Sequence, residues 1–212
     1  MINIKTFVFN DFYQNTYVIF DPISLEGAVI DPGCSNENEK KELAGFIDEK
    51  KIIIKYLLNT HCHIDHIFGN KFVKEKYNCV FYCGKEDEFL LDLMPKEAEK
   101  WGYKMEVSPK PDKYFEHNGE IKIGSISIKT LHTPGHSPGE FSFYIESDGV
   151  CFTGDVLFKE AIGRTDLWGG DYDVIADSIQ KLLFSLPDST IIYPGHGETS
   201  TIGYEKIKNP FL

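Results

Sequence analysis

His61, His63, Asp65 and His66 lie within six consecutive residues of the stretch Asn59-Thr60-His61-Cys62-His63-Ile64-Asp65-His66, directly after the apolar run Ile52 to Leu58. Imidazoles and a carboxylate packed this densely where a buried strand should end point to metal ligation. Along an extended backbone, side chains two apart share a face, so His61 and His63 converge on one ion while Cys62 points away. Asp65 and His66 break that alternation. At the turn into a following helix they aim from another direction and suit a second ion.

Three further motifs complete the donor set, each ending an expected strand beside Gly or Pro: Thr133-Pro134-Gly135-His136, Phe152-Thr153-Gly154-Asp155 and Tyr193-Pro194-Gly195-His196. Glycine there lets the backbone turn sharply and approach a compact centre. The seven N and O donors exceed what one tetrahedral zinc takes. Two ions sharing Asp155 is the economical arrangement. Two histidines are left outside it. His117 lies in a polar turn, and His132 shares the parity of Ile126 and Ile128, so it should pack beneath the site within reach of a hydrogen bond to a ligand.

Donors so scattered need strands that end together. Ile4 to Phe9, Thr16 to Phe20 and Ala28 to Ile30 read as a meander of short strands. Ser35 is the expected N-cap of a helix over Glu37 to Lys50, with Leu43, Phe46 and Ile47 on one face. Ile52 to Leu58 lacks alternation and should be a strand buried on both faces. A helix over Ile67 to Tyr77 and a strand over Cys79 to Tyr82 follow. Lys85 to Trp101 is amphipathic, and Pro95 should end one helix and open the next. Gly102 to Asp112, with Pro109 and Pro111, is the one plausible linker. Strands then return at Ile126 to Thr130, Phe141 to Ile145 and Val150 to Phe152. Asp171 can cap a helix whose Ile175, Ile179, Leu182, Leu183 and Leu186 form a stripe, before a strand at Thr190 to Tyr193. Two successive segments of strands, helix and strand predict two sheets stacked face to face with helices outside.

At 212 residues with 14% aromatic and 26% charged residues, the chain fits a soluble globular protein with a full core. A net charge of −11 and the lack of a basic stripe argue against a nucleic-acid partner. No stretch is long enough to span a bilayer, and the first residues do not read as a signal peptide. A cytoplasmic monomer or homodimer is the expectation. Cys34, Cys62, Cys79, Cys83 and Cys151 are odd in number and lack zinc-ribbon or redox spacing, so reduced, buried thiols are expected.

The H-x-H-x-D-H cluster with T-P-G-H, T-G-D and Y-P-G-H downstream resembles the metallo-β-lactamase superfamily over almost the whole chain. Gly154-Asp155-Val156-Leu157-Phe158 and Ile162-Gly163-Arg164-Thr165-Asp166 are similar to its glyoxalase II branch, the hydroxyacylglutathione hydrolases, in the short single-domain form. The resemblance implies one domain over residues 1–212 with a four-layered α/β/β/α sandwich. It implies one metal on His61, His63 and His136, a second on Asp65, His66 and His196, and Asp155 with a solvent oxygen bridging them. It further implies that Asp65, His66 and Asp155 are catalytic and that Arg164 binds a carboxylate of the substrate's thiol half. A plain ion pair of Arg164 with Asp166 or Asp171 is the competing reading. True β-lactamases of this fold lack the combination of Asp65-His66 with Asp155. Full-length glyoxalase II enzymes continue into a helical region that grips glutathione, whereas this chain ends at Leu212, which leaves the thiol carrier open.

The chemistry follows from charge. Two divalent ions, most simply zinc and with iron or manganese also suited to the donors, outweigh Asp65, Asp155 and a bridging hydroxide. Such a centre lowers the pKa of bound water from about 16 towards 7 and stabilises an oxyanion. A thioester suits it because a thiol, with pKa near 8.5, leaves as thiolate without an obligatory acid. The expected activity is hydrolysis of S-2-hydroxyacyl thioesters such as S-lactoylglutathione. The alternatives are a mononuclear iron persulfide dioxygenase of the same fold and a metal-binding module without turnover.

Overall fold

The first sheet starts as the expected meander: β1 (Asn3–Phe9), β2 (Gln14–Phe20) and β3 (Glu26–Ile30) pair antiparallel in the computed structural model, which describes residues 1–212. Helix α1 (Glu37–Lys50) crosses over to β4 (Ile53–Leu58), parallel to β3. Its cap is Asn36 rather than Ser35. Asn36 has the extended backbone of a cap residue and accepts from the N–H groups of Asn38 and Glu39, while Ser35 donates to the Glu39 carboxylate. The parallel strands β5 (Val80–Cys83) and β6 (Lys113–Tyr114) complete the order β1-β2-β3-β4-β5-β6.

Four further expectations need correction in this half. Burial of β4 on both faces holds only at Leu57 and Leu58: Ile53 is exposed at the start of the strand, and the register slip opposite Gly27 and Ala28 leaves Lys55 as the extra, outward residue. The helix expected over Ile67 to Tyr77 is split into α2 (Ile64–Ile67) and α3 (Asn70–Tyr77), since the Gly69 N–H leaves the helical ladder for the Pro32 carbonyl at 2.7 Å. A short 3-10 turn leads into α4 (Glu88–Lys100), which runs unbroken through Pro95 because Leu90, Leu91, Met94 and Ala98 bury its inner face on both sides of the proline. The stretch expected as a linker, Gly102 to Asp112, is fastened to the first layer instead. Ser108 is buried and accepts from the Asn70 amide, and Asp112 accepts from the Phe81 N–H.

The second sheet contains β7 (Gly119–Ile123), β8 (Ile126–His132), β9 (Phe141–Ile145) and β10 (Val150–Gly154), successively antiparallel. After the small hairpin of β11 (Leu157–Phe158) and β12 (Ala161–Ile162), α5 (Tyr172–Lys181) starts at its expected cap, Asp171. Leu182 and Leu186 fall beyond α5, so its buried stripe is Ile175 and Ile179, continued by Leu183. Strand β13 (Ile191–Pro194) joins β10 in parallel, β14 (Ser200–Thr201) forms the edge, and α6 (Ile202–Lys208) packs beneath.

Strand alternation makes four layers of this. Val18, Val29, Leu57 and Phe81 face Leu43, Ile47, Val73 and Leu90 of the helices. Their neighbours Ile19, Ile30 and Leu58 face Ile128, Phe143 and Phe152 of the second sheet. Cys151 and Ile192 face Ile175, Ile179 and Ile202. Each fully buried side chain of this size contributes about 1.5–3 kcal/mol. All five cysteines are free and buried. No helix is long and apolar enough to cross a membrane. Strands β3, β4, β8, β10 and β13 run so that their carboxyl ends open on one edge, where ligands of α/β sheets bind.

Candidate metal centre

Buried carboxylates beyond these strand ends set the loops that carry the donors. Asp31, just after β3, accepts from the Thr60 N–H at 2.7 Å and from the Thr60 hydroxyl at 2.6 Å. Because the Thr60 proton goes to Asp31, its oxygen is left to accept from His61 Nδ1 at 3.1 Å. Asp31 also accepts from His66 Nδ1 at 3.0 Å. Asp87 joins the two halves of the molecule: it accepts from the Cys62 N–H, the Ser137 hydroxyl and the Gly139 N–H. Glu140 accepts from the Asp155 N–H at 2.8 Å and lies 3.6 Å from His61 Nδ1.

These contacts orient the imidazoles. His136 Nδ1 donates to the Arg164 carbonyl at 2.8 Å and His196 Nδ1 to the Phe12 carbonyl at 3.0 Å. With Nδ1 set against a fixed oxygen in His61, His66, His136 and His196, each Nε2 is turned inward. His63 is turned the other way, with Nδ1 2.8 Å from His136 Nε2.

The structure gathers His61, His63 and His136 into one group and Asp65, His66 and His196 into another, with donor atoms inside each group within 4.8 Å of one another. Asp155 stands between them. Its Oδ2 is 3.6 Å from His136 Nε2 and 3.6 Å from His196 Nε2, and its Oδ1 is 3.4 Å from His66 Nε2. Asp65 Oδ2 is 3.0 Å from His196 Nε2. Gly195 is required by this crowding, since a Cβ there would run into the Asp155 carboxylate and the His66 ring. Gly154 has φ +51° and turns the chain so that Asp155 leaves the sheet towards the donors.

The fit to cations rests on polar atoms with no other use. Nε2 of His61 and His66 and Oδ1 of Asp155 are buried and have no hydrogen-bond partner, an arrangement that costs free energy unless something positive is shared among them. Burial, reinforced by the neighbouring imidazoles, holds His61 well below the usual histidine range and His63 at about 3. Both rings are therefore neutral, the form in which imidazole can donate to a cation. Burial opposes charge at His66 too, but Asp65, Asp155 and Asp31 outweigh it and raise its pKa. Burial likewise works to raise Asp155, and His66 with His196 reverses the direction, so the carboxylate stays ionised. Buried nitrogen and carboxylate donors in two groups that share one carboxylate suit two divalent cations.

Above the donors lies a cavity of about 220 Å³ bounded by Phe12, Trp101, Leu167 and Trp168. Arg164 also lines it, and its guanidinium forks onto Asp166, Nε to Oδ1 and Nη2 to Oδ2, both at 2.7 Å. Of the two carboxylates that could pair with Arg164, Asp171 is occupied with capping α5. His132 packs on Phe141 and bonds the Pro138 carbonyl at 3.0 Å, so it supports the His136 loop rather than touching a ligand; His117 Nδ1 accepts from the His132 N–H.

The sequence reading missed Asp31, Asp87, Glu140 and the aromatic rim. Asp31 carried a usable signal, since Asp31-Pro32-Gly33 follows a buried strand just as the ligand motifs do. Glu140 carried a fainter one, a charge directly before the apolar β9. Asp87 sits in a charged segment with nothing to distinguish it.

The sequence profile of the metallo-beta-lactamase superfamily matches residues 9–196. A protein of Haemophilus influenzae named hydroxyacylglutathione hydrolase GloC is 38% identical over 213 residues, covering 100% of this chain and 98% of that one. The crystal structure of BLEG-1, described as a B3 metallo-beta-lactamase, superposes with TM-score 0.90 at 31% identity, covering 100% of this chain and 99% of that one. TTHA1623 in a di-iron-bound form gives TM-score 0.87 at 31% identity over 98% of this chain and 100% of its own.

Proposed function

The chain belongs to the metallo-beta-lactamase superfamily, and from that premise we propose a dinuclear metal-dependent hydrolase of S-2-hydroxyacyl thioesters such as S-lactoylglutathione. One observation carries the proposal: two buried donor groups meet at the Asp155 carboxylate beneath a cavity open to a small molecule. The relative named hydroxyacylglutathione hydrolase, matched from end to end, supports the choice of ester.

In this proposal His61, His63 and His136 hold one cation, Asp65, His66 and His196 the other, and Asp155 serves both. When bound, the cations supply Lewis acidity that activates water and polarises a carbonyl. The chain's residues do the rest. Asp31 and Thr60, the Phe12 and Arg164 carbonyls and Glu140 fix the imidazoles, so little reorganisation accompanies reaction. Asp65 and Asp155 line the cavity, His66 lies buried behind them at 3.4 Å from Asp155, and these three are the catalytic residues proposed. Arg164 is the contact proposed for a substrate carboxylate, in competition with Asp166. No proton donor is asked of the protein, because a thiol leaves as its anion. Zinc is the metal pair proposed, residues 1–212 are proposed to act as one domain, and a small thioester in the cytoplasm is the partner.

Purified, metal-replete protein should release free thiol from S-lactoylglutathione, and a replete protein inert on every acyl thioester would overturn the assignment. A β-lactam substrate is the second reading, favoured by the likeness to BLEG-1. Opening of a β-lactam ring without thioester cleavage would replace the first reading by the second. One iron per chain with oxygen consumption on glutathione persulfide would mark a dioxygenase instead.

A further inference from the structure

A cavity of about 220 Å³ lies below the roughly 300–1,000 Å³ of pockets that bury a drug-sized ligand whole. It can enclose the acyl group and its sulfur, and the rest of a thiol carrier has to lie across the rim. That rim is chemically one-sided. Both tryptophans of the chain, Trp101 and Trp168, stand on it with Phe12 and Leu167. The Trp168 ring is 5.8 Å from the His63 ring, at the boundary between the donors and solvent. Trp101 is 46% exposed, although Leu90, Leu91, Met94 and Ala98 of the helix it terminates are buried. Phe12 is braced by Tyr103 at 5.6 Å, which in turn rests 5.9 Å from Phe68.

Positive charge is scarce on the same rim. No lysine lines the cavity, and the only arginine of the chain, Arg164, already has its guanidinium forked on Asp166. The charge of that guanidinium is already balanced by Asp166, in a molecule of net charge −11, so it offers an anionic carrier little net attraction. An uncharged ring or chain beside the sulfur covers the exposed aromatic faces and displaces nothing.

Resting on the thioester-hydrolase reading, we propose that the thiol half of the substrate is recognised by this aromatic collar. The enzyme thereby selects 2-hydroxyacyl thioesters whose thiol bears an apolar or aromatic group next to sulfur over those of an anionic peptide thiol. S-lactoylglutathione is cleaved on this account, but as the poorer substrate.

The test compares S-lactoyl esters of benzyl mercaptan and glutathione, each rate divided by its own hydroxide-catalysed rate to remove leaving-group reactivity. The benzyl ester leads in kcat/KM by about tenfold or more, the effect of covering one ring on the collar. Trp168→Ala and Trp101→Ala cut that lead to about threefold or less, mainly through KM, whereas the Trp→Phe variants keep most of it. Asp166→Asn raises the glutathione ester relative to the benzyl ester, and added salt removes the gain. A tenfold lead for the glutathione ester, or equal losses on both esters in the Trp→Ala variants, overturns the proposal.

Binding gives a readout without turnover, because the chain's only tryptophans are in the collar. Ketone analogues with a methylene between the lactoyl carbonyl and sulfur cannot be hydrolysed. The benzyl analogue should shift tryptophan emission and bind about tenfold tighter than the glutathionyl one. If neither ester is cleaved but the benzyl analogue binds in this way, the hydrolase reading fails and the collar stands. If the esters are cleaved and the benzyl analogue binds no tighter, the collar alone fails.

Discussion

On the floor of the cavity, Nδ1 of His61, His66, His136 and His196 is in each case set against a fixed oxygen, whereas on the rim Trp101 stands 46% exposed at the end of a helix. The floor is over-determined: Asp31, Asp87 and Glu140 are buried and each ties a donor-bearing loop to another part of the fold. The rim is held by ring packing and one exposed ion pair, which is worth little in solvent. The difference separates two jobs. A rigid floor fixes reactive atoms, and an adaptable rim chooses what reaches them.

The floor can be broken most severely at the shared donor. Asp155→Ala removes the carboxylate that faces both groups, and turnover of the proposed ester should fall about 10²–10³-fold or more while the collar still binds the benzyl analogue. Steady-state kinetics beside fluorescence titration separates the two effects. Removing metal is the next largest change. If the cations are present at about a thousandfold over their Kd, they stabilise the fold by about 4 kcal/mol, so chelation should lower Tm by about 8–16 °C at this chain length. A scan with and without chelator measures it, and a shift below about 2 °C would mean that folding does not depend on filling the floor.

Glu140 sharpens the comparison from behind the donors. Burial, strengthened by the nearby Asp155, raises its pKa well above the ordinary range, and one of its oxygens has no partner. Glu140→Ala strands the Asp155 N–H and should weaken metal retention about 10–100-fold in a chelator competition. Glu140→Gln keeps an acceptor for that N–H and should lose less. The smallest effect is expected far from both regions. Asp21 stitches the β2–β3 turn to Ser125 in the β7–β8 turn, and the Ser125 and Ile23 N–H groups hold its carboxyl at about 2. Because the folded value lies below the unfolded one of about 3.9, its contribution is full above about pH 4 and is lost as pH falls towards 2. Wild type should therefore be more stable than Asp21→Asn at neutral pH, with the gap closing between pH 4 and 2. A gap that persists at pH 2 would contradict this.

The grouping on the floor was legible in the sequence because imidazoles and carboxylates at strand ends stand out by residue type. The structure brings His61, His63 and His136, and Asp65, His66 and His196, together around Asp155, and Gly195 and Gly154 mark where the chain must turn against them. Periodicity placed α1, β8 and α5 for the same kind of reason, since their buried faces leave a repeating trace. It failed where a single tertiary contact decides. Nothing local reveals that Pro32 draws the Gly69 N–H out of its helix, or that Asp87 bonds a loop 52 residues away. The rim was invisible for another reason. Phe12, Trp101 and Trp168 have the same composition as core residues, and only their position over the donors gives them a role.

Metal analysis of the dialysed protein tests the central claim most directly. Zinc-loaded wild type should retain two ions per chain, His61→Ala and His196→Ala one each from different groups, and Asp155→Ala fewer than two. A wild-type chain that holds a single ion under saturating metal, with His196→Ala holding just as much, would contradict a paired centre.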